Sequence, residues 1–216
     1  MVKNIFFDFD GVIADSVNVK TDAFYNMYLP YGTEIAEKVK QHHIENGGMS
    51  RFKKFALYYK DYLGIDLDNS EVNKLAEQFS KLVLDGVVNS SLVNGITKFL
   101  GNYYNVYKFW IVTGTPVDEI KIILDRKNLY HFFIEAVGSP ASKIELTKLL
   151  IEKNKLNRDE TCFIGDALAD YEAAKSNSIK FILRQTPENL PLFINKENIA
   201  LRINDFINFN EKLILL

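Results

Sequence analysis

The stretch Ile5-Phe6-Phe7-Asp8-Phe9-Asp10-Gly11 decides the fold of this chain. A short apolar run without polar alternation is typical of a strand buried on both faces of a parallel sheet, and here it predicts a strand over residues 2–9. Gly11 favours a turn directly after that strand. We therefore expect the carboxylates of Asp8 and Asp10 to lie together at the end of the sheet.

Strands and helices alternate through most of the remaining chain. Further strands are predicted at residues 106–113, 134–137, 161–164 and 180–183, with helices between them at roughly 116–127, 141–154 and 168–177. This alternation predicts an α/β fold whose core is a Rossmann-like, doubly wound parallel sheet.

The long segment between the first two strands contains only helical patterns, over Thr21–Tyr28, Ile35–Ile44, Phe52–Leu63 and Ser70–Leu84. We therefore predict a core domain of residues 1–15 and 91–216, with an inserted α-helical cap domain of residues 16–90. Hinges are expected near Asp15–Ser16 and Ser90–Leu92. Residues 184–216 show little pattern beyond a short helix predicted over Ile203–Phe209.

The composition argues against several classes of protein. With 216 residues, of which 47% are hydrophobic, the chain can bury a core without disulfides or a structural metal. A net charge of -2 does not indicate binding to nucleic acid or to an anionic membrane. The single cysteine, Cys162, fits a reducing compartment. Because the N-terminus shows no signal-peptide pattern, we expect a cytoplasmic protein. We also expect it to be a monomer or a weak homodimer.

Three further motifs follow predicted strands. The first is Thr113-Gly114-Thr115-Pro116, with Thr115 expected as the N-cap of the next helix. The second is Lys143, near a helix start. The third is Gly165-Asp166, with Asp170 one helical turn further on. Each alone has an ordinary alternative: a strand-ending turn, a solvated lysine, or an N-cap. Because ligands bind at the carboxyl ends of strands in such sheets, the motifs together predict one site.

The residue types in these motifs suit phosphate chemistry assisted by a metal. Free N–H groups at a helix start suit a phosphate oxygen, and Lys143 supplies a compact positive charge that can hold a phosphate against a carboxylate. Carboxylate oxygens with few nitrogen ligands suit Mg²⁺. Two neighbouring carboxylates can also divide the work of nucleophile and proton donor.

In this order along the chain, the motifs resemble those of the haloacid dehalogenase superfamily, whose hydrolases show Asp-x-Asp-Gly, then Ser or Thr, then Lys, then Gly-Asp-x-x-x-Asp. The similarity covers residues 4–183. The helical insertion resembles the cap of the phosphoglycolate phosphatase and β-phosphoglucomutase branch. Dehalogenases of the superfamily lack the second carboxylate, so Asp10 argues against dehalogenation. Receiver domains of signalling proteins combine similar residues, but in a different order.

The resemblance implies a role for each motif residue. Asp8 would be the nucleophile and Asp10 the general acid and base, while Thr113 and Lys143 would hold the transferring phosphoryl group.

The resemblance also implies a Mg²⁺ cofactor. The metal would be bound by Asp8, by Asp10 through its backbone carbonyl, and by Asp166, and Asp170 would support it through water or through Lys143.

The implied function is a Mg²⁺-dependent phosphatase that hydrolyses a small phosphorylated metabolite through an aspartyl-phosphate intermediate. Gly11 and Gly114 are expected to contact that substrate. One alternative is a phosphomutase of the β-phosphoglucomutase type. Another is a non-catalytic phosphate-binding protein, which would be expected to have lost the nucleophile or a metal ligand, and the sequence retains them all.

The predicted cap contributes further candidates. The stretch Gly48-Met49-Ser50-Arg51 resembles a Gly-x-Ser-Arg segment of this branch whose arginine contacts an anionic group of the substrate. Arg51 is therefore predicted to bind a carboxylate or a second phosphate. Lys53 and Lys54 either add positive charge there or form a solvated helix start. His42-His43 is expected to be a surface pair.

Overall fold

A computed structural model describes all 216 residues. One six-stranded sheet, with every neighbouring pair parallel, has the strand order β3-β2-β1-β4-β5-β6. The strands are β1 (Asn4–Phe7), β2 (Lys108–Pro116), β3 (Glu135–Ser139), β4 (Thr161–Gly165), β5 (Lys180–Arg184) and β6 (Ile199–Ile203). This is the order of a doubly wound Rossmann-type sheet, so the predicted fold class is confirmed.

Helices cover both faces of the sheet and fill the segment between β1 and β2. They are α1 (Val17–Tyr28), α2 (Thr33–Glu45), α3 (Arg51–Leu63), α4 (Asn69–Asn89), α5 (Ile96–Tyr103), α6 (Val117–Arg126), α7 (Lys143–Asn154), α8 (Leu168–Ser176), α9 (Leu190–Phe193) and α10 (Phe209–Leu213).

Adjacent residues of β1 enter two separate hydrophobic cores, as alternating side chains on a strand must. Phe7 belongs to the larger cluster and packs against Phe109 with ring centroids 5.4 Å apart. Phe6 belongs to the cluster on the other face, where it packs edge-on against Trp110 and Phe163. Both faces of β1 are therefore dry, which explains why its sequence is uniformly apolar.

The four helices α1–α4, which we call the cap helices, leave the sheet after β1 and return to it before β2. They pack on one another, with Phe24 of α1 contacting Phe55 of α3 and Phe79 of α4. The two connecting segments lie side by side, because the backbone N–H of Asp15 donates to the carbonyl oxygen of Ser91 at 2.9 Å. The division into domains 1–15 with 91–216 and 16–90 stays a prediction.

Two local predictions are wrong. Residues 203–209 do not form a helix: Ile203 ends β6 and the next α-helix begins at Phe209. Thr115 is not a helix N-cap, because β2 continues through Pro116, and Pro116 itself is the N-cap of α6. The helix α5 was not predicted from the sequence. None of the helices is both long and apolar enough to cross a membrane.

Candidate active site

Asp8 follows the central strand β1 at the point where its neighbours β2 and β4 diverge, which is the topological switch point of the sheet. Its backbone N–H donates to the carbonyl oxygen of Ile164 at 2.9 Å, which fixes it beside β4. The side chain is buried. Its Oδ2 lies 2.8 Å from Nζ of Lys143, while its Oδ1 is buried without any hydrogen-bond partner. One oxygen of the predicted nucleophile is thus held and the other is left open.

Lys143 joins two buried carboxylates. It is the first residue of α7, whose N-terminus is fixed by a capping box between Ser142 and Glu145. Its Nζ donates to Asp170 Oδ1 at 2.6 Å and also contacts Asp8. Burial alone would lower the pKa of Lys143, but the carboxylates of Asp170 and Asp8 raise it above its ordinary value. Lys143 is therefore a permanent cation against the candidate nucleophile.

Asp170 has both carboxylate oxygens engaged. Besides the ion pair with Lys143, its Oδ2 accepts a hydrogen bond from the backbone N–H of Ala167 at 3.1 Å. Ala167 is the N-cap of α8, so Asp170, and not Asp166, satisfies the start of this helix. Asp170 fixes the geometry of Lys143.

Asp166 lies directly after β4 and makes no ion pair. Single carboxylate oxygens of Asp8, Asp166 and Asp170 all lie within 4.8 Å of one another. Gly11, with φ of +79°, turns the chain at this point, and a Cβ there would lie 2.1 Å from Asp166 Oδ2. Only glycine therefore permits the close approach of the first and last motifs.

The electrostatics of this cluster suit a divalent cation. Burial, with the nearby carboxylates of Asp170 and Asp10, raises the pKa of Asp8 to about 7 even though Lys143 lowers it. Burial and the Asp8 carboxylate likewise raise the pKa of Asp166 well above its ordinary value. Such repulsion is relieved by a bound cation. The partnerless Oδ1 of Asp8 and the unpaired carboxylate of Asp166 supply oxygen ligands of the kind that Mg²⁺ prefers.

The Asp10 side chain stands apart from this cluster. Its Oδ1 accepts from Ser16 Oγ at 2.6 Å, and its Oδ2 accepts from Lys20 Nζ and, at 3.2 Å, from Thr115 Oγ1. Burial would raise the pKa of Asp10, but the Lys20 ammonium and the donated hydrogen bonds hold it below its ordinary value. The side chain of Asp10, the predicted general acid and base, therefore accepts hydrogen bonds from donors that do not contact the other three carboxylates. Its predicted metal contact through the backbone carbonyl stays a prediction.

Sequence reasoning missed Lys20 and the part played by Thr115. Lys20 lies in the first turn of α1, one helical turn after Ser16, and its Nζ donates to Thr115 Oγ1 at 2.7 Å. The signal was available, because residues four apart on a helix face the same way. Thr115, near the end of β2, therefore hydrogen-bonds to both members of the Lys20–Asp10 ion pair.

Thr113 is buried in β2, and its Oγ1 accepts the backbone N–H of Thr115 at 3.2 Å. The next residue, Gly114, lines the cavity described below. A Cβ on Gly114 would lie 2.9 Å from the carbonyl oxygen of Gly48, so the loop that leads into α3 rests directly on the end of β2.

Arg51 does not project freely into the site. Its Nη1 and Nη2 donate to the two carboxylate oxygens of Glu119, at 2.7 and 2.8 Å, and Nη1 also donates to Ser80 Oγ at 2.6 Å. Both charged side chains are buried. Arg51 therefore ties α3 to the first turn of α6, and its predicted contact with substrate stays a prediction.

The neighbouring basic residues separate into two environments. Lys53 is exposed, whereas Lys54 is only 1% exposed. The expectation of a surface pair at His42-His43 is wrong for His43, which is buried because the Phe24 ring packs against it with centroids 4.7 Å apart.

A cavity of about 480 Å³ lies between the carboxyl ends of the strands and the cap helices. Asp8, Asp10 and Asp166 line its floor, and Phe24 and Lys54 belong to the cap wall. Asn189, from the segment after β5, also lines it and donates from Nδ2 to the backbone carbonyl of Asp166 at 2.9 Å. The C-terminal segment therefore helps to fix the candidate metal ligand, which no sequence pattern revealed.

The fold and this site define an α/β protein with a carboxylate and lysine centre at the ends of its strands. Residues 5–184 match the sequence profile of the haloacid dehalogenase-like hydrolases. The chain therefore belongs to this hydrolase family, and the predicted resemblance is confirmed. A search of curated proteins finds no match.

Solved structures with the same fold include two predicted phosphatases and a phosphomutase. A predicted phosphatase from Clostridium acetobutylicum superposes with a TM-score of 0.77 at 18% identity, covering 100% of both chains. β-Phosphoglucomutase from Clostridium difficile gives 0.76 at 18% identity, covering 100% of this chain and 96% of that one. A predicted phosphoglycolate phosphatase from Haemophilus somnus 129PT gives 0.72 at 19% identity, covering 98% of each.

Proposed function

We propose that this chain is a Mg²⁺-dependent phosphatase that hydrolyses small phosphate monoesters through a phosphorylated Asp8. One observation carries the proposal: a buried carboxylate that is held by a lysine through one oxygen and has its other oxygen unpartnered. This carboxylate faces a cavity large enough for a small metabolite. The family of hydrolases to which the chain belongs supports the same chemistry.

In the first step, an Asp8 oxygen attacks phosphorus, and the bond from phosphorus to the leaving oxygen breaks. Lys143 balances negative charge on the nucleophile and on the phosphoryl oxygens. The leaving oxygen takes a proton from Asp10. The low pKa of Asp10 means that its resting form is the carboxylate. A phosphoryl dianion arriving beside it raises that pKa and favours the protonated acid.

In the second step, Asp10, now a carboxylate again, takes a proton from water. The water oxygen attacks phosphorus and the bond to Asp8 breaks, which releases inorganic phosphate. Lys20, Ser16 and Thr115 hold Asp10 in place during both proton transfers.

Asp8 and Asp166 would hold the Mg²⁺, with the backbone carbonyl of Asp10 as a further ligand. When bound, the metal neutralises charge on the attacking carboxylate and on the transferring phosphoryl group. A cation held there would also favour the ionised form of Asp8, whose pKa burial raises to about 7.

The test is release of inorganic phosphate from a panel of metabolite phosphate esters, with and without Mg²⁺, compared with Asp8→Asn as the control. Because Asn cannot form the phosphorylated intermediate, turnover should fall by at least about a thousandfold. Near-normal activity of Asp8→Asn would disprove the scheme. Isomerisation of a sugar phosphate without phosphate release would identify a phosphomutase instead.

A further inference from the structure

Two buried basic side chains on the cap side of the cavity have no role in the proposed reaction. Lys54 of α3 and His43 of α2 line the same cavity as Asp8 and Asp10. Lysine is rarely buried to this degree unless it is paired with an acid.

Every other cation that lines the cavity pairs with a carboxylate of the protein. The pairs are Lys20 with Asp10, Arg51 with Glu119, and Arg184 with Asp15.

Lys54 has no such partner. Its Nζ forms hydrogen bonds only with His43, at 2.8 Å from Nδ1 and 3.4 Å from the carbonyl oxygen. The charged groups that act on it most strongly are the ammonium groups of Lys20 and Lys143, which are of like sign.

The pair retains unused hydrogen-bond donors. A lysine ammonium has three N–H donors, and His43 occupies at most two of them. Because Nδ1 of His43 accepts from Lys54, the ring proton of the neutral imidazole lies on Nε2, which has no acceptor in the protein. Burial and the charge of Lys54 hold the pKa of His43 well below its ordinary value, so the ring is neutral.

The surroundings strengthen the attraction for an anion. The Phe24 ring lies 5.6 Å from Lys54 Nζ and packs against the imidazole of His43. Phe79 adds a second aromatic wall to the cavity. Charge pairing is stronger beside such apolar groups than in water, and a buried cation without a counter-ion is costly to retain.

We propose that Lys54 and His43 form a binding site for a second anionic group of the substrate, a carboxylate or a second phosphate, at the end remote from the transferred phosphoryl group. The proposal rests on the proposed function and narrows its substrate class to phosphate monoesters that carry a second anionic group. Arg51, the cap residue that the sequence favoured for this task, is occupied by Glu119.

Two matched pairs of probes test the proposal. Phosphoglycolate and ethyl phosphate differ by a carboxylate, and 1,3-propanediol bisphosphate and propyl phosphate differ by a phosphate. In Lys54→Met, kcat/KM for the preferred probe that carries a second anionic group should fall about 10- to 100-fold, as expected for the loss of a hydrogen bond to a charged group. Hydrolysis of ethyl or propyl phosphate should change less than about threefold. Lys53→Met is the matched control, since Lys53 is adjacent but exposed, and it should leave all four rates unchanged.

Binding provides a second measurement that does not need turnover. The same four probes are titrated calorimetrically into Asp8→Asn protein, with and without Lys54→Met, after circular dichroism has verified the fold. The Lys54→Met change should selectively weaken binding of phosphoglycolate and the bisphosphate, the two probes that carry a second anionic group. His43→Phe, which removes the Nε2 donor, should weaken it in the same direction if Lys54→Met does not fold.

The outcomes separate the two proposals. If the wild type hydrolyses none of the metabolite esters or probes but still binds the probes with a second anionic group more tightly through Lys54, the proposed function fails and the anion site stands. If the wild type turns over esters but Lys54→Met affects both members of each pair equally, the anion site is disproved. A loss confined to one pair identifies the second group as a carboxylate or as a phosphate.

Discussion

The core side and the cap side of the cavity balance their charges in different ways. On the core side, Lys143 pairs with Asp8 and Asp170 at the ends of the strands, and Asp10 takes its partner, Lys20, from the first turn of the cap helix α1. On the cap side, Arg51 takes its partner from α6 of the core, and Lys54 has no acidic partner at all.

This difference suggests separate roles for the two sides: the core side carries out the proposed reaction, and the cap side selects the substrate. The core side has one uncompensated feature, the open oxygens of Asp8 and Asp166, and these suit a metal and phosphorus. The cap side has an uncompensated positive charge, the ammonium group of Lys54, which suits an anionic group of the substrate. A cavity with these two ends would orient an ester that carries a second anionic group, with its reacting phosphate at the floor.

The largest expected effect in the comparison comes from Lys143→Met. Removing the cation from Asp8 should lower kcat by about 100- to 1,000-fold, as for loss of one preorganised charge donor. Since Lys143 lowers the pKa of Asp8, which is about 7, its loss moves that pKa upwards. The nucleophile must be ionised, so the acidic limb of the pH–kcat profile should shift to higher pH.

The matched control for this substitution is Lys148→Met on the same helix. Lys148 is exposed and lies 3.8 Å from Glu152, so its loss should leave both kcat and the pH profile unchanged. An unshifted acidic limb in Lys143→Met would mean that the lysine does not act on Asp8.

The core side was predictable from sequence because strand ends constrain it. Asp8, Lys143 and Asp166 follow β1, β3 and β4, and parallel strands end at the same edge. The edge strand β6 was missed because two of its residues, including Arg202, are largely exposed, so it lacks the apolar run of a buried strand. The glycine-containing helix α5 was missed because Gly101 lowers helix propensity.

The cap side was less predictable because helix packing decides which side chains meet. Arg51 and Glu119 are 68 residues apart and meet because α4 packs against both α3 and α6. Lys53 and Lys54 have identical side chains and adjacent positions, yet one faces solvent and the other faces the cavity. Only the packed helices distinguish them.

The next effect in size concerns the stability of the link between cap and core. Glu119→Gln leaves the buried guanidinium of Arg51 without its counter-charge, which should lower the free energy of unfolding by roughly 3 kcal/mol. Asp85→Asn is the matched control, because Asp85 of α4 forms an exposed ion pair with Arg126 of α6, the helix that also carries Glu119. That change should cost less than about 1 kcal/mol.

Denaturant unfolding monitored by circular dichroism measures both variants. Equal losses in Glu119→Gln and Asp85→Asn would show that burial of the Arg51 pair does not stabilise the link. A larger loss in Glu119→Gln supports the view that the cap side has placed its arginine in a structural contact and left Lys54 for binding.

The smallest effect is the stability gained by removing Lys54. Burial, with the like charges of Lys20 and Lys143, lowers the pKa of Lys54 from 10.5 to about 7 in the folded protein. Between these pH values the unfolded chain binds more protons than the folded one, so this residue makes stability rise with pH. Its unfavourable contribution is complete below pH 7 and absent above about pH 10.5.

Lys54→Met should therefore melt at a temperature about 2–4 °C above the wild type at pH 6.5, which corresponds to about 1 kcal/mol. The difference should shrink at pH 9.5, because the wild-type lysine is then neutral in the folded state, whereas Lys53→Met should show no difference at either pH. A destabilised Lys54→Met would mean that His43 and the aromatic walls already satisfy the ammonium. The cap side would then be as fully compensated as the core side, and the contrast between the two halves of the cavity would disappear.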